Sequence, residues 1–399
     1  MKILYITSQP ILINSSANLR NIALIKGLTE LGHDVKILNM KLTEDAANYD
    51  QTLIEYIDKN KISYIEPIKI HNSMIVKKNA KKNTGQKVKT MLRKIYMRFA
   101  ILDTLALSCK NVCFLEERID NFDIIISSSD LKSSHLLARE YIKLYGRKNE
   151  KWIQYWGDPL SLDINAKTSW PKAILKLREL DIIKMADKIV YVSPYTLENQ
   201  KKLFPTQKNK MAFVPIAYIK EIRSEYKKYE KKLTFSYFGD YMSSSRNILP
   251  LVSAIKGLEM NLKITGNSDI VLNHEKNLEI SKRKSYEEIK KDEYNTDVFI
   301  CLCNSSGTQI PGKIYHYSAY NKPILIIRDG DMLIDNYLKK YDTEKKFIYC
   351  DNNIISIREK LCYIIENYSG LETNALESFS SKSIAKSFLI EIGEKDGEN

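Results

Sequence analysis

Short apolar runs that alternate with helical patterns restrict the fold of this chain more than any other feature of its sequence. Residues 2–7 form an apolar run typical of a buried strand, and residues 18–31 repeat apolar side chains at helical spacing. A turn and a second strand, GHDVKIL, follow directly. Apolar runs at 122–126, 152–155 and 189–192 continue the alternation, which favours a doubly wound parallel sheet. The first half of the chain is therefore predicted to be Rossmann-like.

A second set of the same pattern begins after the charge-dense stretch YIKEIRSEYKKYEKK. A helix is predicted at 248–258, among strands at 233–238, 262–265, 298–302 and 323–327. A chain of 399 residues, 44% hydrophobic and 28% charged, is long enough for two globular domains. We predict an α/β protein of two Rossmann-like domains that face each other across a cleft. The predicted domains are 1–216, 217–374, and a last segment, 375–399, whose helix returns to the first domain.

The net charge of +13 is concentrated in one segment, because residues 67–102 hold ten Lys or Arg and no acid. Within the predicted basic segment, 75–102, apolar side chains recur at helical spacing between the basic ones, which is typical of a helix on an anionic membrane surface. A core-packed helix with a solvated basic face is the alternative. A single basic patch argues against a nucleic-acid partner. The predicted membrane-facing residues are Lys89, Arg93, Lys94 and Arg98.

The sequence contains no run of 18 or more apolar residues, and its first residues lack a small-residue cleavage site. These observations predict a cytoplasmic protein. If the basic helix binds lipid, the expected location is peripheral, on the inner face of the cell membrane.

A polar loop, SSGTQIPGK, follows the apolar strand that is predicted to end at Leu302. Ligands of open α/β folds bind at the carboxyl ends of the strands. Backbone N–H groups of this loop, the start of the next helix and Lys313 would together form an anion site suited to a diphosphate. The alternative is a helix that opens with Pro-Gly for steric reasons and carries a solvated Lys313.

Four segments together resemble a retaining GT-B glycosyltransferase of the family-four type, as found in bacterial capsule, O-antigen and exopolysaccharide synthesis. They are NLRNIALIKGLTELGHDVKIL, MADKIVYVSPYTLENQKKLFP, FSYFGDYMSSSRN and TQIPGKIYHYSAYNKPIL. The resemblance implies a nucleoside-diphosphate sugar donor, most simply a UDP-sugar, and a glycan acceptor that can be lipid-linked. It also implies retention, no cofactor and no metal. RDGD at 328–331 carries a carboxylate pair, but its late position favours a turn.

The resemblance also places the donor in the second domain. Arg246 would clamp the diphosphate because a guanidinium can bind two phosphate oxygens, and Gly239 would let the backbone approach it. A surface arginine in a polar loop is the alternative. The remaining donor-binding candidates are Tyr241, Asn247, Gly266, Lys282, Thr308, Gln309, Ile310, Pro311, Gly312, Lys313 and His316.

This sequence departs from the family pattern at three of its positions. Thr308 and His316 stand where the family usually has two glutamates, and Asp240 stands where an arginine often occurs. His316 can still hydrogen-bond a ribose hydroxyl, whereas Thr308 cannot replace a carboxylate's charge. These departures put the identity of the donor in doubt, and a weakly active enzyme is an alternative.

In the first domain the resemblance points to the loop SQPILINSSANLRN and to two strand ends. The candidate catalytic residues are Asp130, His135 and Asp158, and the alternative is two turn or capping carboxylates and a core histidine. Candidates that face the acceptor or the diphosphate are Ser15, Ser16, Arg20, Trp156 and Gly157, of which the last two could form a sugar platform. Helix capping is the alternative for the residues of the first loop.

The leading functional hypothesis is therefore a glycosyltransferase. A nucleotide-sugar epimerase on the same scaffold is a second hypothesis, and a non-enzymatic basic protein that binds membranes is a third.

Overall fold

A computed structural model of the chain describes residues 1–41, 46, 49–68, 91–92, 94–96, 98–115, 119–163, 168–224, 232–273, 276–306, 309–329 and 333–394. The chain divides into two compact units. Unit 1 is Met1–Ile219 together with Ser381–Asn399, and unit 2 is Lys220–Ser380.

Unit 1 is built on a parallel sheet of seven strands in the order β3-β2-β1-β4-β5-β6-β7. The central strands are buried over residues 3–7, 124–128 and 152–156, as expected for a parallel sheet covered on both faces. Its elements up to the end of this sheet are β1 (Lys2–Thr7), α1 (Ser16–Glu30), β2 (Asp34–Met40), β3 (Ile62–Ile65), β4 (Ile124–Ser128), α2 (Ser133–Tyr145), β5 (Lys151–Trp156), α3 (Lys172–Ile183), β6 (Lys188–Tyr191), α4 (Pro194–Leu203) and β7 (Met211–Phe213).

Unit 2 has a parallel sheet of six strands in the order β10-β9-β8-β11-β12-β13. Strand β11, next to β8 and β12, is buried along its whole length. The elements are β8 (Leu233–Phe238), α5 (Leu249–Ala254), β9 (Met260–Thr265), β10 (Leu278–Ser281), α6 (Tyr286–Tyr294), β11 (Val298–Leu302), α7 (Gly312–Tyr317), β12 (Ile324–Arg328), α8 (Leu333–Leu338), β13 (Phe347–Asp351) and α9 (Ile354–Asn367).

The last helix, α10 (Ser381–Glu391), belongs to unit 1 although it follows unit 2 in the chain. It packs against α1, where Gly27 lacks the Cβ that would collide with the backbone of Ser381. The Ser381 hydroxyl donates to the carbonyl of Tyr218 at 2.7 Å, and Phe388 meets the ring of Tyr155 edge to face. Unit 1 is thus completed by a segment from the end of the chain.

The predicted fold class, an α/β protein with two Rossmann-like domains, is confirmed by these two parallel sheets. The last helix begins later than the predicted residue 375: the backbone N–H of Leu376 bonds to Ser318 within unit 2, and Glu377–Phe379 form a separate short 3-10 helix before α10. Four short strands, β3, β7, β10 and β13, were not predicted. Among the described residues, no helix combines the length and the apolar character that crossing a bilayer requires.

Candidate functional site

Two cations of unit 2 lie at the carboxyl end of the buried strand β11. The Nε of Arg246 donates to Asn304, two residues beyond the strand, at 2.6 Å. Lys313 is in the first turn of α7, which follows the same strand. Burial raises the pKa of the Cys301 thiol to about 12, and Arg246 and Lys313 both act against that rise. The structure therefore brings these two predicted donor-binding residues to one strand end.

Lys313 and His316 share a partner that sequence reasoning missed, the buried carboxylate of Glu293 on α6. One carboxylate oxygen lies 3.4 Å from Nζ of Lys313, and the other lies 2.9 Å from Nε2 of His316 and 2.9 Å from the hydroxyl of Tyr320. Burial opposes ionisation of Glu293, but His316 and Lys313 outweigh it and hold the carboxyl pKa at about 2. Glu293 is thus a buried anion that contacts both Lys313 and His316 of α7.

Two glycines bring the ends of β8 and β9 into close contact. A Cβ on Gly266 would overlap the carbonyl oxygen of Gly239. Gly239 has a φ of 152°, a conformation that L side chains rarely adopt, and its N–H donates to Thr265 at 2.9 Å. Both positions therefore need glycine for structural reasons.

Asp240, which stands where the family often has an arginine, carries an arginine as its ion-pair partner. Arg283 donates to both carboxylate oxygens, at 2.9 Å and 2.6 Å, and the N–H of Asn267 adds a third bond at 2.9 Å. Burial acts to raise the pKa of Asp240, but these contacts lower it. Lys282, a predicted donor-binding residue, is exposed and precedes Arg283 in the chain. Arg283, which lies in a different loop, thus supplies a cation beside Asp240 after the end of β8.

The other predicted donor-binding residues have surroundings different from those of Arg246 and Lys313. Tyr241 was predicted as a site residue, but it is only 3% exposed and packs on Tyr237 in the core of unit 2. Asn247 accepts a bond from the N–H of Leu249 and therefore has a local structural role. Gly307 and Thr308 lie outside the described residues. The described part of the loop is Gln309, Ile310, Pro311 and Gly312, of which Ile310 is buried.

Arg20, which was predicted to face the acceptor or the diphosphate, is a buried cation of unit 1 near the carboxyl ends of β4 and β5. Its guanidinium lies 5.0 Å from the ring centroid of Tyr155 and 3.5 Å from the hydroxyl of Ser128. A Cβ on Gly157 would collide with this guanidinium and would lie 3.2 Å from a carboxylate oxygen of Asp130. Gly157 is therefore the residue that allows Arg20 and Asp130 to approach each other.

Three carboxylates and one lysine form a charged cluster beside Arg20. Nζ of Lys132 lies 3.3 Å from Asp130 and 2.9 Å from Asp163. Burial, followed by the neighbouring carboxylates of Asp130 and Asp163, raises the pKa of Asp158 to about 7. A carboxyl group with such a pKa can take up or release a proton near neutrality. Sequence reasoning identified Asp130 and Asp158 but missed Lys132 and Asp163.

Two predictions for unit 1 need correction because the side chains are fully buried. The ring of Trp156 stacks on His135, with centroids 4.2 Å apart, so Trp156 offers no exposed face as a sugar platform. His135 donates to or accepts from Ser127 through Nδ1 at 2.8 Å, and its Nε2 has no partner among the described residues. Burial lowers the pKa of His135 well below its usual value. Both rings belong to the core beneath the strand ends.

The two predicted serines of the first loop differ in role. Ser15 is the N-cap of α1 and accepts a bond from the N–H of Asn18 at 3.2 Å, so the capping alternative describes it correctly. Ser16, the first residue of the helix, is exposed. Neither hydroxyl by itself marks a ligand site.

The sequence matches no known protein-family model and no curated protein. Solved structures do resemble the chain over nearly its whole length. A glycosyltransferase from Rickettsia africae ESF-5 has 14% identity and a TM-score of 0.55, covering 98% of this chain and 97% of that one. A mutant of S. aureus TarM, in complex with Fondaparinux, alpha-GlcNAc-glycerol and UDP, has 10% identity and a TM-score of 0.62, covering 98% and 100%. The chain has the GT-B fold.

The GT-B fold is not confined to transferases among the similar structures. A putative UDP-N-acetylglucosamine 2-epimerase from Listeria monocytogenes has 8% identity and a TM-score of 0.50, covering 98% of this chain and 94% of that one. At such low identities the likeness establishes the fold alone, so the function of this GT-B chain has to be argued from its own residues.

Two residues of this GT-B chain that were not predicted as site residues nevertheless follow a pattern that is visible in the sequence. Lys132 and Asn304 come within four residues of the ends of buried strands, where polar side chains in an open α/β sheet commonly face a ligand. Glu293 carries no such signal, because α6 contains four acids in nine residues and only packing makes one of them buried.

The predicted membrane-facing segment is described in part. Lys89 and Arg93 lie outside the described residues, whereas Lys94 and Arg98 are exposed. The alternative of a core-packed helix is wrong for Phe99, which is 66% exposed, whereas Leu102 at the end of the segment packs against the core. Three more apolar side chains of the segment are also exposed: Met91, Leu92 and Ile95.

Proposed function

We propose that this protein is a glycosyltransferase that moves a sugar from a nucleoside-diphosphate donor, a UDP-sugar, to a glycan or lipid-linked glycan acceptor in bacterial surface polysaccharide synthesis, with retention. The observation that carries the proposal is the convergence of Arg246 and Lys313 at the carboxyl end of β11. Similar structures include glycosyltransferases, one of them in complex with UDP, which supports this class of activity. We further propose that the protein works in the cytoplasm.

In the proposed reaction, the bond between the sugar's anomeric carbon and the diphosphate oxygen breaks, and the diphosphate leaves with the electron pair. Arg246 and Lys313 would stabilise the charge that develops on it, and Asn304 and Glu293 hold these two cations in place. The acceptor hydroxyl oxygen bonds to the anomeric carbon on the face from which the diphosphate departs, so that the configuration is retained, and it releases its proton. Asp158, with a pKa raised to about 7 by burial, is the candidate in unit 1 for receiving that proton.

Replacing Lys313 or Arg246 by Ala is expected to weaken UDP binding by about 2 kcal/mol each, or about 30-fold, because each removes a charged hydrogen-bond donor from the diphosphate. Isothermal titration calorimetry with UDP measures this directly. Lys256→Ala and Arg223→Ala are matched controls, since both side chains are exposed and belong to unit 2. Equal UDP affinity in the two site variants and the two controls would overturn the donor-site assignment.

Sugar transfer is expected to continue at an unchanged initial rate in the presence of EDTA. The two side-chain cations at β11 are the groups proposed to stabilise the departing diphosphate, so the reaction would not depend on a divalent ion. The test compares the initial rate of UDP release before and after chelation. A rate abolished by EDTA and restored by magnesium or manganese would contradict this prediction.

The same assay separates the transferase from the two other hypotheses. A transferase releases UDP in proportion to the acceptor consumed. An epimerase, the alternative that one similar structure suggests, would convert the sugar of the donor with no acceptor present. A non-enzymatic protein would do neither with any nucleotide sugar in the panel.

A further inference from the structure

Two segments of unit 1, the described residues of 91–99 (91–92, 94–96 and 98–99) and residues 168–177, are bonded to each other at the surface. The N–H of Ser169 donates to the carbonyl of Arg98 at 2.8 Å, and Nε of Arg98 donates to the Ser169 hydroxyl at 3.0 Å. The indole Nε1 of Trp170 donates to the carbonyl of Phe99 at 2.6 Å. These bonds fix the residues just before α3 against the end of the first segment, and we call the joint outer side of the two segments the apolar–basic surface.

The apolar–basic surface exposes large apolar side chains from both segments. Phe99 is 66% exposed, Leu177 is 67% exposed and Trp170 is 40% exposed. The opposite side of α3 is anchored in the core through Leu175 and Ile182, so its exposed residues are held outward by a packed helix. Exposed apolar side chains of this size on two segments that are bonded to each other favour a surface that binds a partner. The remaining exposed apolar members are Met91, Leu92, Ile95 and Ile174.

Cations accompany these apolar side chains, and acids are missing from the same stretches of sequence. Lys94, Arg98, Lys172 and Lys176 are all exposed. Residues 91–102 and 164–178 contain no Asp or Glu at all. The surface therefore complements a partner that is anionic at its face and apolar just beneath it.

We propose that the apolar–basic surface docks on an anionic lipid bilayer. Lysines and arginines near a membrane are attracted to anionic headgroups, and aliphatic and phenyl side chains enter the acyl boundary beneath them. Trp170 has the amphipathic ring that prefers the membrane interface. The second segment, residues 168–177, adds a second row of exposed side chains to the surface. Its contribution was not visible in the amphipathic pattern of the basic segment alone.

This inference goes beyond the proposed transfer reaction and does not depend on it. Vesicle binding requires neither a donor nor turnover, and the apolar–basic surface contains none of the residues assigned to donor binding or proton transfer. Loss of catalytic activity and loss of membrane binding can therefore be measured in separate experiments on the same protein.

The first test sediments the full-length protein with vesicles of phosphatidylglycerol and phosphatidylcholine in equal parts, and with vesicles of phosphatidylcholine alone. We expect binding to the anionic vesicles only, and a steep loss of binding as salt is raised, because exposed charges are screened within about 8 Å at physiological ionic strength. Lys172→Ser with Lys176→Ser is expected to weaken binding about 30-fold. Ile174→Ser with Leu177→Ser is expected to weaken it about tenfold or more.

Matched controls come from exposed residues of unit 2. Lys256→Ser with Lys340→Ser removes the same charge, and Ile355→Ser removes an apolar side chain that is 73% exposed. Both controls are expected to bind vesicles like the unchanged protein. Urea unfolding, expected to be equal in every variant, shows that each one is folded.

The second test uses the intrinsic fluorescence of Trp170. Of the three tryptophans, all of them described, Trp152 is 5% exposed and Trp156 is fully buried, so Trp170 is the one that can change environment on docking. We expect a blue shift with anionic vesicles and quenching by brominated acyl chains. In Trp170→Phe both signals should disappear while sedimentation with vesicles persists.

Three outcomes would overturn the proposal. The first is no sedimentation with anionic vesicles, and the second is equal binding by the variants and the unchanged protein. The third is self-association that Leu177→Ser abolishes in sedimentation equilibrium without any vesicle binding, which would make the surface a contact between two copies of the chain.

Discussion

Replacing Gly266 by Ala is expected to lower the free energy of unfolding of unit 2 by about 3 kcal/mol, the upper end of the usual cost of overpacking. The new Cβ would overlap the carbonyl oxygen of Gly239, a backbone atom that cannot rotate away. The N–H of Gly239 bonds to the carbonyl of Thr265, and the φ of Gly239 is one that other residues rarely adopt. The collision must therefore separate the ends of β8 and β9, and we expect UDP binding to be lost as well.

Urea unfolding measures the change in stability, and calorimetry with UDP measures binding. Gly370→Ala is the matched control, because a Cβ there meets no atom of the described residues within 4 Å and should leave both quantities unchanged. If Gly266→Ala unfolded at the same urea concentration as the control, the close approach of the two strand ends would not be a constraint on the fold.

Replacing Glu293 by Gln is expected to lower the free energy of unfolding at pH 7 by about 3 kcal/mol, the equivalent of a carboxyl pKa that falls from about 4.5 in the unfolded chain to about 2 in the folded one. Glutamine has the same shape and can still accept the bond from Tyr320. It cannot neutralise Lys313, and it puts a neutral amide in place of the carboxylate that His316 contacts. The loss is therefore a loss of charge rather than of volume.

The effect of Glu293→Gln should also depend on pH. The folded-state pKa of Glu293 lies below its unfolded value, so its contribution is complete above about pH 5 and disappears as the pH falls towards 2. Gln does not titrate, so the difference in stability between the two proteins should close on acidification. Urea unfolding at pH 7, 4 and 3 measures this gap, with the exposed Glu366→Gln as control. A gap that stays constant with pH would show that charge is not the cause.

The sequence allowed the fold and part of the site to be predicted because both leave local patterns. Apolar strands alternate with helices whatever the ligand, and glycines at strand ends, such as Gly239 and Gly266, stand out in a chain with only 14 glycines. Arg246 and Lys313 could be named as candidates because both follow buried strands of unit 2. The alternation of strands and helices could not show which side chains near the strand ends pack into the core.

Two residues show why this part of the site could not be predicted. Trp156 and Glu293 each occupy a position where sequence allows opposite outcomes. A tryptophan at a strand end can stack on a sugar or fill the core. Trp156 fills the core, where it stacks on the imidazole of His135. An acid on a charged helix is usually solvated, yet Glu293 is 1% exposed because three partners on other elements surround it.

The return of α10 to unit 1 has a consequence for how the protein is made on the ribosome. Unit 2 is continuous in the chain, whereas unit 1 is interrupted between Ile219 and Ser381. About 170 residues must be added after Ile219 before α10 is complete, which takes about ten to thirty seconds at ordinary rates of synthesis. During that time the side of α1 that α10 covers, including Gly27, has no partner from its own unit. A nascent chain that stops before Ser381 would therefore carry a whole unit 2 beside an unfinished unit 1.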